Sequence, residues 1–426
     1  MSYTSYYLYQ KYQSINGSTP APVYPMEYSY DGEGTMPTVV KSYSDVTCGY
    51  APPSPPSPTD YSRRYLTIES LEDGNTIKWK NGSGNFSNTI SASTDNGTTW
   101  AEYTATTGGT SIATLNTGDK VLLKGLNERY FPVNSGTYGF QDGNGFVASK
   151  NFIVYGNIMS LVSGDTFDGA TTVSSWAFSN IFYQSNKLIS AEHLVLPATI
   201  LTEHCYQDMF IYCSSLTTAP STLPATTLTD YCYRNMFFGC TSLTTAPELP
   251  ATTLADSCYN DMFSNCTSLT TAPALPATTL VRYCYAYMFR RCTSLTVAPE
   301  LPATTLATEC YQDMFNGCTS LTTAPELPAT TLAEYCYQAM FLGCTSLTTA
   351  PELPATTLAD YCYYYMFNGC TNLNYIKCLA TDANSSDCGN WVNGVAATGT
   401  FVKNPLATNW GTGTSGIPNN WTVQNV

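Results

Sequence analysis

The side chains best equipped for chemistry in this 426-residue chain are 17 cysteines and two histidines, His193 and His204. Fourteen of the cysteines fall two to a repeat between Cys205 and Cys370, and no C-x-x-C occurs. With so few histidines and no close cysteine pair, a zinc site has no ligand set to draw on. In stacked repeats identical positions form columns, and a small apolar thiol packs well in such a column. Free packed thiols are therefore the expectation, with disulfides between neighbouring turns and metal binding as the competing readings.

Catalytic patterns are missing. There is no G-x-S-x-G, no glycine-rich nucleotide loop and no H-E-x-x-H. No catalytic residue, metal or cofactor is predicted, and the chain is read as a non-enzyme. A capsule depolymerase working through paired carboxylates is the enzymatic alternative, but the acids fall mostly at positions that drift between repeats. Glu248, Glu300, Glu326 and Glu352 recur at one position; stacked carboxylates there would either hold calcium or splay into water. The spacing points instead to binding. The pair after each Cys-Tyr varies: Gln207-Asp208, Arg234-Asn235, Asn260-Asp261, Ala286-Tyr287, Gln312-Asp313, Gln338-Ala339 and Tyr364-Tyr365. The residue before each first Cys varies too, as does the pair after Met-Phe, which includes Arg290-Arg291. From these slots Tyr231, Arg234, Tyr283, Tyr287, Arg290, Arg291, Tyr335, Tyr361, Tyr364 and Tyr365 form the candidate recognition face, since Tyr and Arg dominate binding surfaces. Neutral drift on a solvated face is the competing reading.

The element that must position these residues is a repeat, roughly C-Y-x-x-M-F-x-x-C-T-S-L-T-T-A-P-E-L-P-A-T-T-L-A-x-x, whose first Cys falls at Cys205, Cys232, Cys258, Cys284, Cys310, Cys336 and Cys362. A fixed period of this size indicates a solenoid of stacked units, because one unit cannot bury its apolar face alone. Ala255 to Phe263 lacks Gly and Pro and spaces Cys258 and Met262 by four, which predicts about two turns of helix. Leu243, Ala246 and Leu249 suit a short extended stretch, kept short by Pro247 and Pro250. The recurring Thr217, Thr244, Thr270, Thr296, Thr322 and Thr348 are expected to form hydroxyl ladders on the sheet side, with a polysaccharide-binding surface as the alternative.

The rest divides around this stack. Residues 1–58 carry Tyr3, Tyr6, Tyr7, Tyr9 and Tyr12 and end in Ala51-Pro52-Pro53-Ser54-Pro55-Pro56-Ser57-Pro58, a semi-rigid spacer, so they read as a docking arm, or else as a disordered tail. Residues 59–157 show strand patterns at Tyr65–Ile68, Thr76–Trp79, Thr89–Ala92, Lys120–Leu123 and Phe152–Tyr155, with Asp95-Asn96-Gly97 as a hairpin turn; a small antiparallel β-sandwich spacer is expected. Residues 158–378 are the solenoid, opening with a worn repeat in which Ala177 stands for the first Cys and Ser185 for the second. A more polar outer side is expected of that unit. Residues 379–426, with Trp391, Trp410 and Trp421, read as a C-terminal cap over the last turn. The predicted fold is therefore multidomain: an extended arm, an all-β sandwich and an α/β solenoid with its cap.

A net charge of −14 and the absence of basic patches set nucleic acid aside. No run of about 18 apolar residues predicts a membrane span, and the start has no signal-peptide pattern. The Thr/Ser/Asn/Tyr-rich composition nonetheless looks external, a conflict that a virus particle assembled in the host cytoplasm would resolve.

Two resemblances bear on this. Met236-Phe237-Phe238-Gly239-Cys240-Thr241-Ser242-Leu243 and the following L-P-A-T-T-L resemble the BspA-like leucine-rich repeats of gut bacteria and their phages, over roughly residues 177–378. That resemblance implies a right-handed α/β-type solenoid, adhesion, and protein or glycan binding. Tyr6-Tyr7-Leu8-Tyr9-Gln10-Lys11-Tyr12, with Asp31-Gly32-Glu33-Gly34-Thr35-Met36-Pro37 and Thr47-Cys48-Gly49-Tyr50, is similar to leader segments of structural proteins of crAss-like Bacteroides phages. It implies a head or tail fibre, or a decoration protein, on the virion surface. The implied partners are other virion proteins at the arm and a host-surface glycan or protein; homo-oligomers are compatible. A bacterial surface adhesin is the runner-up.

Overall fold

The computed structural model of the chain describes residues 27–29, 38–41, 60–82, 86–132, 143–382 and 386–426. The chain forms two compact units, 1–59 and 60–426. In the first, Glu27–Ser29 (β1) and Thr38–Lys41 (β2) pair antiparallel. The arm tyrosines Tyr3, Tyr6, Tyr7, Tyr9 and Tyr12, and the proline-rich spacer, lie outside the described residues.

The second unit opens with two antiparallel sheets. Their strands are Leu66–Ser70 (β3), Asn75–Asn81 (β4), Thr89–Ser93 (β5), Ala101–Thr104 (β6), Thr110–Leu115 (β7), Lys120–Lys124 (β8), Asn144–Ala148 (β9) and Phe152–Asn157 (β10). After β10 come a four-residue helix, Ser160–Ser163 (α1), and the short strands Leu188–Ser190 (β11) and Leu194–Val195 (β12). One sheet runs β11-β10-β3-β8-β5-β6, with β12 also on β10; the other runs β7-β4-β9. All five expected strand segments are strands. Period-two burial builds the core: along β4, Ile77 and Trp79 point inward while Lys78 and Lys80 do not. The Trp79 ring packs 4.6 Å from Phe146 and 5.6 Å from Tyr130, and its indole N–H donates to the Asn88 carbonyl. Asn96 and Gly97 both take positive φ (58° and 87°) in the turn closed by Thr98 N–H to Asp95 O, as an Asn-Gly turn requires.

Strand β10 then passes the chain into the repeats. Its parallel partners β11 and β12 already belong to the first, worn coil. Gly156 sits at this passage with φ 88°, and a Cβ there would lie 2.2 Å from the Tyr65 carbonyl oxygen. The expectation of a polar outer side on the first coil is corrected here. That side is covered by apolar rings of the sheets: Phe146 lies 5.9 Å from Phe182, and Phe131 stacks on Trp176 at 4.9 Å. Ser185, in place of the second Cys, donates from its buried hydroxyl to the Phe146 carbonyl.

The coils that follow, numbered 1 to 7 by their first Cys, stack in parallel. The helix expected over Ala255–Phe263 does not form, and the α/β expectation for the repeats is corrected: among the described residues the only α-helix is α1. Backbone N–H groups instead alternate between two kinds of acceptor. In coil 4, Tyr285, Tyr287, Phe289 and Arg291 donate to Cys310, Gln312, Met314 and Asn316 of the next coil. Ala286, Met288, Arg290 and Cys292 donate three residues back, to Tyr283, Tyr285, Tyr287 and Phe289. Each of these eight amides is satisfied, half of them by the neighbour, which a helix cannot offer. On the other sides the coils meet through isolated single-residue bridges such as Thr218↔Thr245, Thr245↔Thr271 and Val297↔Thr323. Prolines limit those ladders. Once Tyr375-Ile376-Lys377-Cys378 replaces the Thr-Ala-Pro-Glu-Leu-Pro stretch, a full strand forms there (β13, Tyr375–Cys378), followed in parallel by Thr400–Lys403 (β14) and Thr422–Asn425 (β15).

The core of the stack is columnar. Tyr206, Tyr233, Tyr259, Tyr285, Tyr311, Tyr337 and Tyr363 stack at 5.7–6.2 Å. The Phe column from Phe210 to Phe367 stacks at 5.3–5.7 Å. The pattern also outlasts Cys370. Cys388 lies 26 residues after Cys362, Trp391 stacks on Tyr363 at 6.0 Å, and Gly369 N–H donates to the Asn393 carbonyl.

Candidate binding face

The alternating hydrogen bonds demand an unusual backbone. Every fourth residue along the turns takes the left-handed conformation: 204, 208 and 212 in coil 1, and 283, 287 and 291 in coil 4, with φ near 55–60°. The slot before the first Cys, the second of the pair after Cys-Tyr, and the second of the pair after Met-Phe are these positions. The variable face is thus built on strained residues, and its variation is not free. No β-branched residue occupies any of the three slots in coils 1 to 7; Asn, Asp, Gly, Ser, Tyr, one Ala, one His, one Glu and one Arg do. Sequence reasoning found the slots but not their cause, although the four-residue spacing of Asn, Asp and Gly was there to be read.

The structure brings the ten candidate residues onto this one turn side, all half-buried except Arg291, which is exposed. Tyr335 and Tyr361 stack at 4.7 Å, Tyr361 meets Tyr364 at 5.6 Å, and Tyr364 meets Tyr365 at 4.4 Å. The Arg234 guanidinium lies 5.6 Å from the Tyr231 ring centre, and that of Arg290 lies 5.7 Å from Tyr287. Ser257 and Glu309 interrupt the ring column, so Tyr231, Tyr283 and Tyr335 do not touch in series. Residues not among the ten complete the face. Trp176 stacks on His204 at 3.9 Å and His204 on Tyr231 at 4.7 Å, while Arg282 covers Tyr283 at 4.7 Å and pairs with Glu309 at 3.5 Å. Burial holds the His204 imidazole below its usual pKa.

Carboxylates run beneath these rings. Asp208 is buried, and its Oδ2 accepts from Gln207 Nε2 at 2.9 Å. Burial pushes its pKa up to about 6, against the pull of Gln207, Asn235 and Arg234. Asp261 is likewise raised to about 6 by burial, and Asp313 is raised for the same reason.

The thiols have no place in a binding site. All sixteen described cysteines are free and buried. Those of the second column donate to carbonyls of the preceding coil, as from Cys240 Sγ to Phe210 O at 3.1 Å. The threonine expectation is corrected in detail: hydroxyls such as those of Thr244 and Thr322 donate to the Thr217 and Thr296 carbonyls of the preceding coil, rather than to one another. Glu248, Glu300, Glu326 and Glu352 are exposed, Glu352 pairing with Lys377 at 2.9 Å, and no group of three or more His, Cys, Asp or Glu among the described residues is placed to hold a metal ion. None of the described helices is long and apolar enough to cross a membrane.

Residues 204–347 and 300–386 match the family model for the BspA type leucine rich repeat region, in six copies. No curated protein matches the chain. The BspA-type match spans the coils that carry the variable face and leaves the two sheets outside it, consistent with a role in adhesion.

Proposed function

We propose that this protein is a non-enzymatic attachment protein, a head or tail fibre of a Bacteroides phage, whose solenoid of BspA-type repeats adheres to a host-surface glycan or protein. Residues 1–58 dock it to other virion proteins, and the two-sheet unit spaces the repeats from the particle. The observation that carries the adhesion reading is the turn face, where Tyr and Arg side chains recur in register over an otherwise uniform scaffold. The virion reading is supported by the tyrosine-rich start and its likeness to phage leader segments. Deleting residues 1–50 should leave a folded protein that is missing from purified particles; normal incorporation would sink the virion role. A bacterial surface adhesin is the second reading, favoured by the BspA-type match itself. Mass spectrometry of particles against envelopes of uninfected cells separates the two.

A further inference from the structure

One coil differs from the rest. In every other numbered coil at least one left-handed slot is filled by Gly, Asn, Asp or Ala, residues that are small or tolerate the conformation. Coil 4 fills all three with bulky side chains: Tyr283 (φ 54°), Tyr287 (φ 59°) and Arg291 (φ 58°). Such residues are disfavoured there by sterics, and strain of this kind collects at functional positions. The same coil holds three of the five Lys and Arg residues between His204 and Cys378, namely Arg282, Arg290 and Arg291, in a chain whose net charge is −14. Arg282 is committed to Glu309, whereas neither Arg290 nor Arg291 joins an ion pair among the described residues. The neighbouring coils make room. Arg291 leans over Gly317 of coil 5, where a Cβ would come 3.2 Å from Arg291 Cγ, and coil 3 offers only Ser257, Asp261 and Asn265 in its slots.

We infer that coil 4 is the specificity-determining subsite of the turn face and that it takes a carboxylate-bearing polysaccharide. This rests on the attachment reading above and deepens it. The consecutive residues Arg290 and Arg291 supply charge-assisted donors that match a carboxylate, the exposed Arg291 the more accessible of the two and Arg290 half-buried near Asp261 and Asp313. Tyr283 and Tyr287 supply ring surface, and the half-buried Asn265, Gln312 and Asn316 of the flanking coils bring amides to the same face, each already donating one bond within the protein, to Ser264, Gln338 and Asp313. The columns run along the stack and offer the same positions once per coil, with rings 4.7 Å apart where adjacent slots both carry Tyr. A linear saccharide presents its polar groups with comparable regularity, which a folded protein surface does not.

The test uses the full chain in affinity electrophoresis with polygalacturonate, its carboxyl-reduced form and polyglutamate as probes. Wild type should be retarded by polygalacturonate, less so in high salt, and not by the reduced polymer. Arg291→Gly, which installs the residue found in coils 2, 5, 6 and 7, should melt at a higher temperature yet weaken retardation about tenfold, the worth of one charge-assisted hydrogen bond. Arg290→Gln should weaken it with no gain in melting temperature, since that guanidinium also packs on Tyr287 and lies near Asp261 and Asp313. Retention of binding by both variants overturns the inference, as does equal retardation by polyglutamate, which would make the ligand an acidic peptide. If wild type adsorbs to Bacteroides cells but ignores polygalacturonate, the attachment reading stands and this inference falls. If it adsorbs to neither, both fall.

Discussion

At the scale of single residues, the columns make some side chains dispensable and others costly. Tyr259 and Tyr285 are buried with hydroxyls that find no partner in the structure. Removing such a group relieves a desolvation cost while keeping the stacked ring, so Tyr259→Phe should stabilise the protein by about 1 kcal/mol in chemical denaturation. A loss of stability would reveal an acceptor. Asp208 works in the opposite sense from a salt-bridged acid. Its folded pKa of about 6 lies above the ordinary 3.8, so the folded state binds its proton more tightly than the unfolded state does. Stability should therefore be highest below about pH 4 as far as this group is concerned, fall as pH rises toward 6, and be flat beyond. Asp208→Asn should remove that part of the slope and raise the melting temperature at pH 7. The sequence disclosed which slots vary because the copies could be compared with each other. It did not disclose that Asp208, Asp261 and Tyr287 share a left-handed backbone, since a four-residue spacing of polar residues also fits the exposed side of a helix.

At the scale of elements, the sheets were legible because Ile77-Lys78-Trp79-Lys80 and its partners alternate cleanly, and burial of one face dictates that pattern. The turns of the coils were not. Cys258 and Met262, four apart, satisfy the rule for a helix, and only the competing acceptor on the next coil decides against it. That acceptor belongs to tertiary structure, which local propensity cannot report. The continuation into Cys388 and Trp391 was readable from the 26-residue step and was masked by the loss of the Met-Phe pair. The joint between sheets and coils is tightest at one residue. Gly156→Ala would place a methyl carbon against the Tyr65 carbonyl at a positive φ, and should cost about 3 kcal/mol. A thermal scan showing less than a few degrees of change would mean that β10 shifts freely there.

At the scale of the whole molecule, the sixteen described thiols measure how far the fold opens. Burial pushes Cys205 and Cys310 up to about 12, and the others move in the same direction. A thiol-specific reagent at pH 8 should leave all sixteen unlabelled in the native protein, and label them together in denaturant if the stack unfolds as one. Stepwise labelling would show coils opening singly from an end. The alternating amides have a separate consequence, for heredity rather than for stability. Since each coil asks only that its neighbour offer carbonyls at the same places, a coil can be lost or duplicated as a block without disturbing those beyond it. Deleting residues 257–282 should give a shorter chain that still folds and still binds through Arg290 and Arg291, whereas deleting residues 283–308 should fold equally well and bind nothing acidic. Near-identical repeats in a gene are prone to such unequal exchange, so a lineage carrying this protein can change its reach and its taste for surfaces by recombination, one block at a time, with no new fold to invent.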